Sequence, residues 1–302
     1  FKVVLVEPPE TLATDALEGD IVASLRAVDD LASTWREDSE LSMFNANPSI
    51  DWVVVSAEFC DVLQQAIAVS RETDGAFDVT VGPLVNLWGF GPDGQIVEPP
   101  TDEAIHAALQ SVGVDKLETD CDGHLVRKDS PSLYVDLSGW AKGYAVDEVA
   151  RLLDTNGLDN YLVEIGGEVR VNGHNSENRK WAVAVEAPST SERIPHAILR
   201  VTDTSVATSG DYRNYFAYDG AHYSHTIDTR TGRPVTHDLA AVTVVNPSTA
   251  YADAMATALL VLGPEAGPSL ATKLGIAGYF LVRKQTGIYE ITTPVFDQLS
   301  AK

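Results

Sequence analysis

The chain has 302 residues, enough for one large domain or two lobes around a full core, and its 44% hydrophobic and 22% charged content is ordinary for a globular protein. A formal charge of −23, from 21 basic against 44 acidic residues, argues against nucleic acid and anionic lipid as partners, because both need clustered Lys and Arg. No segment approaches the roughly 20 apolar residues of a membrane-spanning helix.

A strand over Lys2–Val6 leads through Pro8-Pro9 into a helical region from about Glu10 to Trp35. Asp38, Ser39 and Asn45 to Ser49 read as loop. A second helix runs from about Ala57 to Glu72. It carries Cys60, which reads as a core residue; Cys60 and Cys121 fit no metal spacing, and a disulfide between them is the less favoured reading. Asp74 to Gly94 is too rich in Gly and Pro for long regular elements. Thr101-Asp102-Glu103 opens a third, short helix with a cap-like start. Strand patterns follow at Lys116–Leu117, Leu125–Arg127 and in YVDL up to Leu137. Gly139 to Leu153 is helical, with apolar Ala145, Val149, Leu152 and Leu153 on one side. YLVEIGGEVRVNG, WAVAVEA and HAILRV read as consecutive strands with tight turns, AAVTVVNP as one more, and GYFLVRKQTGIYEITT as a closing hairpin. Helices and strands mix without strict βαβ alternation. The expected fold is therefore α+β, with largely antiparallel sheets and packed helices.

The candidate chemistry gathers late in the chain. In ADAMATALLVLG, Asp253 and Thr257 sit one helical turn apart and point the same way. A carboxylate and a hydroxyl on one face are hard oxygen ligands of the kind Mg²⁺ takes while it also holds a phosphate. The plain alternatives are an Asp that favours the helix dipole and a Thr bonded to its preceding turn. His225 opens HTIDTRTGRPV, a turn-rich segment, and a histidine beside a metal–phosphate face is suited to take a proton near neutral pH. VDLSGWAKGYAVDEVA reads as a turn into a helix whose exposed N–H groups, with Lys142, suit a phosphate; the alternative is that Asp136 and Ser138 cap the helix and Lys142 is solvated. It carries no Walker A pattern. DGAFDVTVGPLVNLWGFG allows close backbone approach at its glycines, or is a structural loop that packs Leu84, Leu87, Trp88 and Phe90. Gly166-Gly167 is a hairpin turn followed by Glu168, read mainly as structural. In TSVATSGDYRNYF the hydroxyls and Gly210 could meet phosphate, and Tyr212 and Tyr215 could stack on a ring, but the turn alone favours structure.

Taken in order, STWREDSELSMFN, DGAFDVTVGPLVNLWGFG, VDLSGWAKGYAVDEVA, YLVEIGGEVRVNG, VATSGDYRNYF, YSHTIDTRTGRP and ADAMATALLVLG resemble the ApbE family of FAD:protein FMN transferases, from about Ser33 to Gly263. The resemblance implies a single ApbE-like, T-fold-related domain over residues 1–302, or two lobes with FAD between them. It implies FAD contacts at Asp74, Gly75, Ala76, Asp136, Lys142 and Ile227. It implies Mg²⁺ held by Asp253, Thr257 and the Gly139 carbonyl, with FAD phosphate oxygens completing the shell, and His225 as base for the acceptor hydroxyl. Thr229 stands where the family usually has Pro, and the start FKVVLVEP lacks the family's usual Met-Gly-Thr, so an N-terminal FAD contact is missing or trimmed.

The activity implied is Mg²⁺-dependent transfer of FMN from FAD to a Thr or Ser hydroxyl of an acceptor flavoprotein subunit in an electron-transport complex, with release of AMP. The competing readings are a Mg²⁺-dependent FAD pyrophosphatase and a flavin-binding protein without chemistry. The chain opens at Phe1 without an initiator Met, which points to a trimmed form. With the acidity and the resemblance, this leads to the expectation of a periplasmic or other extracytoplasmic setting, with a lipid anchor before trimming.

Overall fold

The computed structural model describes residues 1–188, 194–212 and 214–300. Two compact units emerge, one of Phe1–Val28, Gly139–Tyr212 and Asp238–Lys302, the other of Asp29–Ser138 and Arg213–His237. Every strand pairing is antiparallel among the described residues, as the absence of βαβ alternation led us to expect. No helix among them is long and apolar enough to cross a membrane.

The first unit is built on a seven-stranded sheet whose spatial order is also its chain order: Lys2–Leu5, Tyr161–Ile165, Glu168–Asn172, Thr204–Gly210, Leu239–Asn246, Ala277–Lys284 and Gly287–Thr292. The strand Leu239–Asn246 does not alternate: it is buried at every residue but Asn246. Such a run marks a strand covered on both faces. On one face Ala241 and Val245 join Trp181, Val183, Leu199 and Val201 of the hairpin Trp181–Glu186/Pro195–Val201. The helix Thr249–Leu274 packs on Thr204–Gly210 and Leu239–Asn246. The edge strand Gly287–Thr292 is exposed almost throughout.

Two helices fix the chemistry-bearing residues of this unit. Ser138–Thr155 comes so close to Thr249–Leu274 that a Cβ on Gly143 would lie 2.4 Å from the Thr249 carbonyl oxygen. Asp147 of the first helix caps the second, accepting from the Thr249 and Ala250 N–H groups at 3.0 Å each and from the Thr249 hydroxyl at 2.7 Å. A carboxylate at a helix N-terminus satisfies orphan donors and opposes the dipole's positive end. Gly263, at φ 82°, breaks the long helix, and Pro264 starts the next turn where no N–H is required.

The second unit holds the helices Glu40–Ala46, Ala57–Glu72, Gly82–Leu87 and Asp102–Leu109 and a small sheet ordered Val53–Val54, Leu125–Lys128, Leu117–Asp120. Ala57–Glu72 has the expected bounds, capped by Ser56, and Thr101 caps Asp102–Leu109 as its sequence suggested. Three expectations fail here. Asn45 is helical, because Ser39 accepts from the Ser42 N–H at 3.0 Å and starts a helix that the loop reading missed. Tyr134–Leu137 is not a strand: the Val135 N–H and C=O are both satisfied by the Asn45 side-chain amide at 2.8 Å, and the Asp136 N–H by the Val79 carbonyl at 2.7 Å. Cys60 is buried as expected but not free; it forms a disulfide with Cys121, Cα atoms 5.5 Å apart, joining the second helix to the turn between two strands of the small sheet. The 61-residue separation carries no local spacing signal.

Candidate functional site

In the first unit Lys142, Glu168 and Asp253 converge. Asp253 is 2% exposed, in the second turn of its helix. Both its carboxylate oxygens accept from the Lys142 ammonium at 2.9 Å, and Oδ2 also accepts from the Gly143 N–H at 3.1 Å. Ser248 and Asp147 cap that helix, and Asp253 is held by Lys142. Glu168 begins its strand just after the Gly166-Gly167 turn and is also 2% exposed, 3.3 Å from the Lys142 ammonium. Its other oxygen accepts from the Thr208 N–H at 3.2 Å. Gly166 makes room for Lys142: a Cβ there would lie 3.1 Å from the lysine Cδ.

One ammonium faces two buried carboxylates. Burial works against the Lys142 charge, but Asp253 and Glu168 outweigh it and hold the ammonium protonated. Glu168 bears the imbalance: burial, then the Asp253 charge, push its carboxyl up to about 7 against the pull of Lys142 and the Thr208 N–H. Thr257, one turn beyond Asp253, is half-buried with its hydroxyl 3.0 Å from the Ser209 hydroxyl. Gly139 lies in the first turn of the Ser138–Thr155 helix.

The remaining predicted residues belong to the second unit. Asp136 is nearly buried and accepts from the Ser138 N–H at 2.7 Å, the capping role of the plain reading. Asp74, Gly75 and Ala76 form the turn after Ala57–Glu72. Asp74 is exposed, and it and Gly75 have positive φ, 52° and 76°. Ile227 is buried in a cluster with Leu84, Trp88 and Ile105, so a ligand at this position meets its main chain. The structural reading of Leu84 and Trp88 therefore holds, and Trp88 also donates from Nε1 to the Gly232 carbonyl at 2.8 Å, anchoring the TRTG turn. His225 is half-buried, edge-on to Phe90, with Nδ1 3.0 Å from the Asn214 carbonyl oxygen. A carbonyl accepts only, so Nδ1 carries the proton and the neutral ring has its lone pair on Nε2. Within VATSGDYRNYF, Tyr212 is in the core and Arg213 lies outside the described residues.

A family model described as the ApbE family matches residues 1–280. The chain belongs to the ApbE family. It is similar to a protein of Vibrio cholerae named FAD:protein FMN transferase, 42% identical over 302 residues, 100% of this chain and 90% of that protein. The protein of that name in Escherichia coli K12 is 40% identical over 282 residues, covering 93% and 80% of the two chains. Among solved structures, the flavin transferase ApbE of Vibrio cholerae superposes with a TM-score of 0.90 at 41% identity over 98% of this chain and 94% of that one. The apo flavinyl transferase ApbE of Pseudomonas stutzeri gives 0.90 at 40% identity over 99% and 93%.

The residues of the first unit fit the Mg²⁺ that the resemblance led us to expect. Among the described residues no three His, Cys, Asp or Glu side chains gather as a metal cage. Mg²⁺ does not ask for one: it is commonly held by one or two carboxylates together with substrate phosphates. Asp253 is a buried carboxylate with lone pairs left beyond its three hydrogen bonds, Thr257 adds a hydroxyl on the same helical face, and two carboxylates against one ammonium leave negative charge for a cation to meet. Glu168, the one functional candidate in a segment read mainly as structural, stands beside the same ammonium. Its sequence signal is an acidic residue placed directly after a Gly-Gly turn.

Proposed function

We propose that this chain transfers the FMN part of FAD to a Thr or Ser hydroxyl of an acceptor protein, in a Mg²⁺-dependent reaction that releases AMP. The observation that carries the reading is similarity over nearly the whole chain to proteins named FAD:protein FMN transferase. The Lys142–Glu168–Asp253 cluster, with both carboxylates buried, is a set suited to a cation and a pyrophosphate and supports it.

In this reaction the acceptor oxygen bonds to the phosphorus on the flavin side of the pyrophosphate. The bond from that phosphorus to the bridging oxygen breaks, and its electron pair leaves with AMP. Such transfer is mostly positioning and charge neutralisation. Asp253, Thr257 and the Gly139 carbonyl would hold Mg²⁺, which would supply positive charge to the phosphate oxygens. Lys142, kept protonated by Asp253 and Glu168, orients Asp253 and adds charge near the start of its helix, where N–H groups favour phosphate. Asp74, Gly75, Ala76, Asp136 and the Ile227 main chain contact FAD. His225 takes the hydroxyl proton on Nε2, its tautomer set by the Asn214 carbonyl. An extracytoplasmic setting is supported by the Cys60–Cys121 disulfide, a bond that persists in oxidising compartments.

The test is to incubate the protein with FAD, Mg²⁺ and a flavin-accepting subunit of an electron-transport complex, then weigh the subunit. A mass increase of one FMN, with AMP released in equal amount, is expected. Free FMN and AMP with an unmodified subunit would instead establish a pyrophosphatase, and bound FAD without turnover a flavin-binding protein.

A further inference from the structure

The Thr229 hydroxyl joins two turns that are far apart in sequence. Asp74 and Gly75 both occupy left-handed backbone, at φ 52° and 76°. An aspartate keeps that conformation only when its surroundings determine it. The turn's N–H groups are satisfied locally, Asp74 to the Arg71 carbonyl at 3.3 Å, Gly75 to that of Ser70 at 2.8 Å and Ala76 to that of Thr73 at 3.1 Å. The Gly75 carbonyl is met from far along the chain, by the Thr229 hydroxyl.

Thr229 is well placed to hold that carbonyl. It is 9% exposed, so water does not freely replace a lost bond. Its own turn is braced on both sides. The Asp228 carboxylate accepts from the Arg230 N–H at 3.0 Å and from its guanidinium at 2.8 and 2.9 Å. The Gly232 N–H donates to the Asp228 carbonyl at 2.8 Å, while the Gly232 carbonyl accepts from Trp88 at 2.8 Å. A rigid donor thus restrains a turn of unfavourable backbone.

We propose that Thr229 is a positioning residue for FAD binding: its hydroxyl locks the Asp74–Gly75–Ala76 turn in the conformation that receives the dinucleotide. This rests on the reading that the turn contacts FAD. Val keeps the shape of Thr and removes the hydroxyl, whereas Ser keeps the hydroxyl and removes the methyl.

The experiment measures the FAD Kd by flavin fluorescence, KM and kcat of transfer, and the melting temperature, for wild type, Thr229→Val and Thr229→Ser. Thr229→Ala is the second hydroxyl-free variant should Val not fold. For Val, the loss of one buried hydrogen bond predicts that Kd and KM for FAD rise roughly 10-fold while kcat at saturating FAD stays within about two-fold. Ser should restore both to near wild type. A Kd for Val close to wild type overturns the proposal. So does a Ser variant as weak as Val, which would assign the effect to the methyl, or a fall in kcat at unchanged Kd. Wild-type protein that binds FAD yet transfers no FMN overturns the transferase reading and leaves the Kd comparison decisive for Thr229; wild-type protein that binds no FAD overturns both.

Discussion

Both carboxylate oxygens of Asp253 lie 2.9 Å from the Lys142 ammonium, and the Gly143 amide adds a third donor at 3.1 Å. The carboxylate is therefore oriented before any ligand arrives, and a cation that binds it must share its oxygens with the ammonium.

Asp253→Ala should abolish transfer while leaving the fold intact. Loss of a preorganised charged group at the phosphates predicts a drop of roughly 10³-fold. Thr257→Val, which removes a neutral oxygen and keeps the shape, should lose less, about 10-fold. Rates across a Mg²⁺ titration, with circular dichroism as the folding control, check both; wild-type activity in Asp253→Ala would sink the cation assignment.

Stability in the presence of EDTA should depend on pH through Glu168. Its folded value of about 7 lies above the ordinary 4.5, so the folded state holds this proton more tightly than the unfolded chain. The associated stability is fully present below pH 4.5 and is lost as pH rises through about 7. Urea midpoints should therefore fall across that interval, and Glu168→Gln should lessen the fall. An equal slope in the variant would mean that other groups carry it.

His225→Ala should slow transfer by roughly 10²–10⁴-fold, the span for losing a general base, with little change in FAD affinity. If saturating FAD restores the rate, His225 only orders the turn beside Phe90.

The Cys60–Cys121 bridge closes a loop across a 61-residue separation. By loop-closure entropy, replacing both cysteines with Ser should cost about 4 kcal/mol of stability. Denaturant midpoints of the oxidised protein and the double variant measure this, and coincident curves would show that the bridge contributes nothing.

Much of the molecule was legible because its signals are local. Apolar spacing and a capping Ser or Thr set the bounds of Ala57–Glu72 and Asp102–Leu109, and the four-residue step from Asp253 to Thr257 places both on one helical face. The same locality explains the failures. Tyr134–Leu137 has a strand's composition, but its backbone partner is the amide of Asn45, 90 residues away in sequence. Cys60 meets Cys121 only because a helix packs on a small sheet.

Local patterns along the chain name the residues that could do chemistry: a carboxylate and a hydroxyl on one helix, a histidine before a turn, and a lysine at a helix start. Which of them act together follows from how the elements pack. Lys142 and Asp253 are 111 residues apart and meet because Gly143 lets two helices touch, and Glu168 joins them because a Gly-Gly turn delivers it to the same ammonium. No periodicity records that encounter. It follows from burying two helices and a sheet together, which leaves each buried charge to find its partner wherever packing has placed it.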